Sequence, residues 1–187
     1  MTKTRCNWTK DDKLMNYYHD NEWGVALHDD DKLFEFLFLD TFQAGLSWKT
    51  ILYKRENFRK AFDNFNYHKI ALYEEDKIAE LLQNEGIIRN KLKIKAAITN
   101  AIAFKKIQTE FGSFDNYIWQ FVNHKTIRNR YENLNELPAK SPESDAMSKD
   151  LIKKGFKFTG STICYAFMQA AGLVNDHIIM CYRHLEV

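Results

Sequence analysis

The chain has 187 residues, a formal net charge of +2 and 45% hydrophobic residues. These values predict one globular domain, 1–187, with a sizeable core, and the charge alone does not indicate a nucleic-acid partner. No run of about 18 apolar residues occurs, which excludes a predicted membrane span. The polar N-terminal segment and the three scattered cysteines lack the pattern of an exported disulfide protein, so we expect a cytoplasmic protein, by default a monomer.

Apolar residues at helical spacing predict an all-α fold. The pattern covers 31–62, with a break at 44–47 around Gly45, and then 75–84, 90–110 and a short stretch near 114–122. Gly112 stands where a glycine commonly ends a helix. The segment 125–143 holds both prolines and is predicted to be an exposed connection. No alternating pattern predicts a strand.

Residues 142–172 predict a helix, a short hairpin and a second helix. Ser141 is the expected N-cap with Pro142 at the first helical position, and Gly155 and Gly160 bound the hairpin. Such a unit can bind a DNA phosphate through main-chain N–H groups and the positive end of the second helix. A core-packed pair of helices explains the same residues, so both interpretations stay open. The basic stretches 89–95 and 149–157 are interpreted as solvated helix faces.

Two pairs of possible metal ligands lie near opposite ends of the chain. His177 and Cys181 are four residues apart and would share a helix face, and Cys6 and His19 form the second pair. Together they would complete a closed, four-coordinate zinc site. Neither pair has the tight spacing of a zinc finger, so the spacing alone favours buried thiols and surface histidines. His184 is the competing ligand nearest to Cys181.

Longer segments of the chain resemble a known family. They are YHDNEWGV (18–25), QAGLSW (43–48), KGFKF (154–158), GSTICYAFMQA (160–170) and GLVNDH (172–177). These segments resemble the DNA-3-methyladenine glycosylase I family of helix-hairpin-helix DNA glycosylases, and the resemblance runs from residue 5 to residue 181. It implies an all-α enzyme that hydrolyses the N-glycosidic bond of 3-methyladenine in alkylated double-stranded DNA. The products would be the free base and an abasic site, without strand cleavage.

The resemblance also implies roles for particular residues. A structural zinc would join the termini through Cys6, His19, His177 and Cys181. The base pocket would be built from Trp8, Tyr18, Trp23, Asp40 and Trp48, with Asp40 and Tyr18 as the catalytic pair. The DNA contacts would come from Gln43, Gly45, Leu46, Gly155, Lys157, Phe158, Gly160, Ser161 and Thr162. From residue type alone, Trp48 and Leu46 are more simply explained as core residues.

Departures from the family pattern are expected in or beside this pocket. Asp40 stands where the family has glutamate, Met15 stands where an aromatic residue is common, and Thr41 and Phe42 replace smaller or polar residues. The shorter side chain would set the carboxylate of residue 40 about 1.5 Å further back. A second interpretation is therefore a relative that binds DNA or alkylated bases with weakened or no catalysis. A third is a zinc-bound helical interaction module without a role on DNA.

Overall fold

The computed structural model describes residues 3–187; Met1 and Thr2, which belong to the predicted domain and its polar N-terminal segment, lie outside the described residues. The fold is built mainly of α-helices joined by short 3-10 turns. The helices are α1 (Lys13–Asn21), α2 (Asp30–Gln43), α3 (Trp48–Ala61), α4 (Tyr67–Ile70), α5 (Glu75–Gln83), α6 (Lys91–Phe111), α7 (Phe114–Trp119), α8 (Pro142–Lys153) and α9 (Ser161–Ala170). In this range, no helix is both long and apolar enough to cross a membrane.

The helices predicted from apolar spacing are confirmed, including the break between α2 and α3 and the end of α6 before Gly112. Helix α1 was not predicted, although Asp12 caps it by accepting hydrogen bonds from the N–H groups of Leu14 and Met15. A parallel pair of two-residue strands, β1 (Ile127–Arg128) and β2 (Val174–Asn175), also has no counterpart in the prediction. Two residues are too few to show the alternation that marks a strand.

Helix α2 is the centre of the core. Every residue from Leu33 to Phe42 is buried, as expected for a helix that is surrounded by other elements on all sides. Phe38 and Phe42 stack with their ring centroids 4.8 Å apart, and Phe42 meets Phe58 of α3 at the same distance. Removing one such ring typically costs about 3–5 kcal/mol. The helix therefore holds its polar side chains in fixed positions.

Helices α8 and α9 pack against each other with the hairpin 154–160 between them. Ser141 caps α8 in a capping box with Ser144, and Pro142 is the first helical residue, as predicted. Asn100 of α6 binds the main chain of the hairpin. Its side chain accepts from the N–H of Lys157 at 2.8 Å and donates to the carbonyl of the same residue at 3.1 Å. The shape of the hairpin is thus set partly by α6.

Gly172, just after α9, should be the glycine least tolerant of substitution. Its φ is +71°, and an added Cβ would lie 2.3 Å from the carbonyl carbon of Val25. We expect Gly172→Ala to lower the free energy of unfolding by more than about 4 kcal/mol. Gly45→Ala is the control, because Gly45 has a similar φ of +77° but an added Cβ would meet no atom within 4 Å. Its free energy of unfolding should fall by only about 1–2 kcal/mol, the cost of the left-handed backbone. Denaturant unfolding measures both variants. Equal losses of unfolding free energy would mean that the left-handed backbone of Gly172, rather than the close contact with Val25, makes the position intolerant of alanine.

Candidate functional site

A cavity of about 520 Å³ opens between the N-terminal segment, α1, α2, α3 and α9, a size ordinary for a small-molecule site. We call it the aromatic cavity. The five residues predicted for base binding all line it: Trp8, Tyr18, Trp23, Asp40 and Trp48. The indole of residue 48 and the acid of residue 40 therefore face one compartment, which excludes the alternative that Trp48 is only a core residue.

The walls of the aromatic cavity are rings at close range. Tyr18 and Trp48 have centroids 4.9 Å apart at an interplanar angle of 44°, and Trp8 meets the ring of Trp23 edge-on at 5.0 Å. The indole nitrogens of Trp8 and Trp48 are buried and have no hydrogen-bond partner among residues 3–187. Such walls suit a flat ring that also offers acceptor atoms.

Helix α2 carries two buried acids, Glu35 and Asp40, which differ in whether cations surround them. Glu35 is the acid that has cationic partners. It forms ion pairs with Lys32 at 2.9 Å and with Arg55 at 2.8 Å, and Arg59 also binds the same carboxylate. Burial by itself would raise the pKa of Glu35, but the neighbouring charge of Arg55 and the hydrogen bonds outweigh it, so the pKa is lowered. Glu35 is therefore a stable internal anion.

Asp40, five residues later, has no such cation. Its side chain is buried, it forms no ion pair within residues 3–187, and its Oδ2 atom has no hydrogen-bond partner there. Burial raises the pKa of Asp40 well above its ordinary value. A buried carboxylate without a partner is costly, so this acid favours its neutral form until a cation or N–H donor arrives.

Tyr18 supplies a hydroxyl to the same cavity. Burial raises its pKa well above the ordinary value, and Asp40 acts in the same direction when it is ionised. The side chain therefore stays a neutral phenol, which can donate a hydrogen bond.

The residues that depart from the family pattern do not all face the aromatic cavity. Met15 lines it, as expected. Thr41 and Phe42 do not line it: the hydroxyl of Thr41 donates to the carbonyl of Phe38 at 2.7 Å, and Phe42 packs in the core. Successive helical residues point about 100° apart, which turns the two neighbours of Asp40 away from its cavity.

Several residues of the cavity wall were not predicted, among them Gln169 and Leu137. Gln169 of α9 lines the cavity, and its amide nitrogen donates to Asp176 at 2.8 Å. Asp176 is buried and also accepts from the hydroxyl of Tyr165 at 2.7 Å, so it holds Gln169 in place. Leu137 lines the cavity from the connecting segment, where no periodicity exists to indicate a role.

The four predicted metal ligands come together. Cys6, His19, His177 and Cys181 are all buried, and one candidate ligand atom from each lies within 4.8 Å of the others. The Sγ atom of Cys181 is 3.4 Å from Nε2 of His19 and 3.4 Å from Nδ1 of His177. His184 is not part of the cluster, because its ring nitrogen Nδ1 lies 2.7 Å from the carbonyl of His177.

The surroundings of this cluster fit a cation. The outer nitrogen of His19 is 2.9 Å from Asp20, and the outer nitrogen of His177 is 3.0 Å from the carbonyl of Trp23. Each ring therefore carries its proton on the outside and turns a lone pair inward, as in metal-ligating histidines. The interaction between the two thiols raises the pKa of Cys6 and lowers that of Cys181. The group could hold a metal ion.

The cluster and the aromatic cavity share a wall. The ring of Trp23 lies 4.6 Å from that of His177, and the ring of Trp8 lies 5.4 Å from that of His19. Trp8 also follows Cys6 by only two residues. Any ion that orders the cluster therefore orders one side of the cavity.

The hairpin between α8 and α9 presents an open surface. An added Cβ at Gly155 or Gly160 would meet nothing within 4 Å, and Lys157 is exposed. Helix α9 has no side-chain cap, and the backbone N–H groups of 160–162 have no partner within the described chain. The hydroxyl of Ser161 is already engaged by Asp145 at 2.5 Å. The side chain of Ser161 is thus already bound within the protein, whereas Thr162 is exposed.

The basic stretches are only partly solvated faces. Lys154 forms an ion pair with Glu110 at 3.0 Å and lies over the ring of Phe111. Lys93, in the other stretch, is buried, which contradicts its interpretation as part of a solvated face. Local charge along the sequence therefore does not mark a continuous basic surface.

A helical fold whose ring-walled cavity holds a buried acid without a partner suits a flat ring that is cationic or carries an N–H group. The sequence pattern of the family described as Methyladenine glycosylase matches residues 8–184. DNA-3-methyladenine glycosylase 1 of Escherichia coli (strain K12) is 49% identical over 177 residues, 95% of each chain. This chain therefore belongs to the methyladenine glycosylase family, as the resemblance predicted.

Solved structures agree with that assignment. A crystal structure of 3-methyladenine DNA glycosylase I superposes with a TM-score of 0.94 at 49% identity, covering 96% of this chain and 98% of that one. A Tyr→Phe variant of a 3-methyladenine DNA glycosylase I, in complex with 3-methyladenine, superposes with a TM-score of 0.92 at 34% identity, covering 95% and 96%.

The raised pKa of Asp40 should make stability depend on pH. Because folding raises this pKa above its ordinary 3.8, the native protein holds the proton more tightly, and stability is lost as pH rises toward the folded pKa. Asp40→Asn removes this loss, so the free energy of unfolding of the variant should rise relative to that of the native protein as pH increases from about 4 toward the raised folded pKa. Urea unfolding across this range measures the difference.

Glu35→Gln is the matched control for Asp40→Asn, since the pKa of Glu35 is lowered on folding. The free energy of unfolding of Glu35→Gln should be lower than the native value by the full amount at neutral pH. This difference should shrink as pH falls through the folded pKa of Glu35. If the difference in unfolding free energy between Asp40→Asn and the native protein stays constant with pH, the raised pKa of Asp40 is contradicted.

Proposed function

We propose that this protein is a DNA-3-methyladenine glycosylase of base excision repair. It hydrolyses the N-glycosidic bond of 3-methyladenine in alkylated double-stranded DNA, releases the base and leaves an abasic site without cutting the strand. The observation that carries this proposal is that Asp40, without a cation, and Trp48 line one cavity in a chain of the methyladenine glycosylase family.

The positive charge of 3-methyladenine explains the selectivity of such a site. The charge already weakens the bond to the sugar, and the base leaves neutral, so a strong general acid is not required. Stacking of a cation on an indole contributes roughly 0.5–2 kcal/mol. Asp40 can accept a hydrogen bond from the exocyclic amino group, and the carboxylate and the cation stabilise each other. Unmodified adenine lacks the charge that would offset the burial of this carboxylate.

Base binding is therefore coupled to a proton. In the empty cavity burial favours the neutral acid, and the arriving cation favours the carboxylate. Tyr18 stays a phenol throughout and is available to donate to an acceptor atom of the base.

The turn between α2 and α3 is proposed to enter the duplex. We call residues 43–47 the wedge turn. Gly45 has a left-handed backbone, the N–H of Leu46 donates to the carbonyl of Gln43 at 2.6 Å, and the Leu46 side chain is 40% exposed. Apolar side chains commonly fill the step from which a base has been extruded. Trp48 follows directly, so the wedge and the cavity mouth are adjacent.

The hairpin 154–160 and the start of α9 are proposed to grip the DNA backbone as a helix-hairpin-helix unit. The free N–H groups of 160–162 and the positive end of α9 suit a phosphate, and Lys157 adds an exposed charge. Gly155, Phe158 and Thr162 shape or flank this surface, and Ser161 contributes its main chain. These contacts position the enzyme without reading sequence.

A structural zinc is proposed at Cys6, His19, His177 and Cys181. Two thiolates and two imidazoles form a closed set with no open position for a substrate, so the ion would hold structure and take no part in hydrolysis. It would fix the wall formed by Trp8 and Trp23. The cytoplasmic location and the monomeric state remain predictions.

Loss of one ligand should remove the metal. Cys181→Ser is expected to contain less than about a tenth of the zinc of the native chain and to melt at a lower temperature, because structural zinc supplies folding free energy. Cys164→Ser is the control, since Cys164 is buried elsewhere and its thiol donates to the carbonyl of Thr159 at 3.3 Å. Elemental analysis of both variants gives the answer, and equal zinc contents would contradict the site.

The proposed activity is tested on methylated duplex DNA by measuring released 3-methyladenine with chromatography. Asp40→Asn should slow release by about a hundredfold, since it removes the charge that meets the cationic base. Asp40→Glu should accelerate release, by up to about a hundredfold, if the shorter native side chain leaves the carboxylate misplaced. Slower release by Asp40→Glu would contradict that misplacement.

Two further outcomes of this experiment separate the alternatives. A native protein that binds DNA with strong salt dependence but releases no base would be the catalytically silent relative. Nicks in the product without alkali treatment would contradict an enzyme that stops at the abasic site.

A further inference from the structure

Lys93 of α6 is a buried lysine without a carboxylate. Only 6% of its surface is exposed, and it forms no ion pair with any residue from 3 to 187. Its ammonium group donates to the carbonyl of Phe42 at 2.7 Å and to the carbonyl of Ala44 at 2.6 Å. Lysine is rarely buried without such partners, because desolvation of the charge must be offset.

Both carbonyls belong to the end of α2, where the chain enters the wedge turn. The last carbonyls of a helix have no donor in the helix itself. Ala44 has a φ of −45° and a ψ of 115°, so its carbonyl has left the helical direction. A cation at this end satisfies both oxygens and complements the negative end of the helix dipole.

The wedge turn has few other internal supports. Nothing lies within 4 Å of a Cβ built on Gly45, and the Leu46 side chain is partly in solvent. On the α3 side, Ser47 caps the helix by accepting from the N–H of Thr50 at 3.1 Å. On the α2 side, the corresponding anchor is Lys93.

We propose that Lys93 is a positioning residue for base extrusion: it holds the wedge turn so that Leu46 and Gln43 enter the duplex beside the aromatic cavity. This inference rests on the proposed function. Lys93 does not line the cavity and acts through the main chain of Phe42 and Ala44. Its removal should impair opening of the duplex while leaving the base site intact.

The test compares Lys93→Met, which keeps the length of the side chain and removes the charge, with Lys95→Met. Lys95 lies on the same helix but is exposed and paired with Glu75 at 2.6 Å. The first readout is 2-aminopurine fluorescence in a duplex that carries the probe beside a tetrahydrofuran abasic analogue, because insertion of the wedge unstacks the probe. We expect Lys93→Met to reduce the maximal signal at saturating protein at least threefold, and Lys95→Met to leave it unchanged.

The second readout is the ratio of 3-methyladenine release from methylated duplex and from the same DNA as separated strands. The ratio does not depend on the fraction of folded enzyme, so poor folding cannot imitate the expected result. Lys93→Met should lower the duplex rate at least tenfold and the single-strand rate less than threefold. Its affinity for free 3-methyladenine, followed by tryptophan fluorescence, should stay within twofold of native.

A double-mutant cycle with Leu46→Ala completes the test. Leu46→Ala should lose the same 2-aminopurine signal, and adding Lys93→Met should change little further, because both act on one turn. A native signal in Lys93→Met, equal losses on both DNA forms, or additive effects would overturn the inference. Failure of the proposed function is seen separately, as a native protein that unstacks the probe but releases no base.

Discussion

A buried carboxyl group without a cation is the constraint on which the rest of this structure depends. The central helix carries two buried acids, and Glu35 is neutralised by three basic side chains while Asp40 has none. The protein therefore bears the cost of desolvating Asp40 in a place where only a ligand can offset it. In our proposal, a cationic nucleobase stacked on Trp48 supplies the missing charge, and this requirement makes the site selective for a cationic base.

The aromatic cavity keeps its shape because its walls belong to rigid parts of the fold. Phenylalanine rings pack around α2, so Asp40 is presented from a helix that cannot move freely. The opposite wall is joined to the Cys/His cluster through Trp8 and Trp23. Our zinc proposal thus assigns the metal a role in holding a binding surface, although the ion would lie outside the cavity.

The acid of the cavity and the wedge turn lie next to each other at the end of α2. Asp40 faces the cavity, and within one turn of helix the chain reaches the segment that we propose enters DNA. Lys93 holds that segment from inside the protein, and Ser47 holds it at the start of α3. Base recognition and duplex opening would therefore be coupled mechanically through one short, well-anchored piece of backbone.

The sequence by itself determined most of the helices, though not α1 or α4, since apolar spacing, the cap at Ser141 and the glycine after α6 act over a few residues. Its family motifs also indicated the set of site residues. Only the tertiary structure brought Cys6 to His177 across 171 residues, turned Thr41 and Phe42 into the core and buried Lys93 at the end of another helix. The physical reason is that local periodicity decides which face of a helix is apolar, whereas packing decides which faces meet and which polar group each buried atom finds.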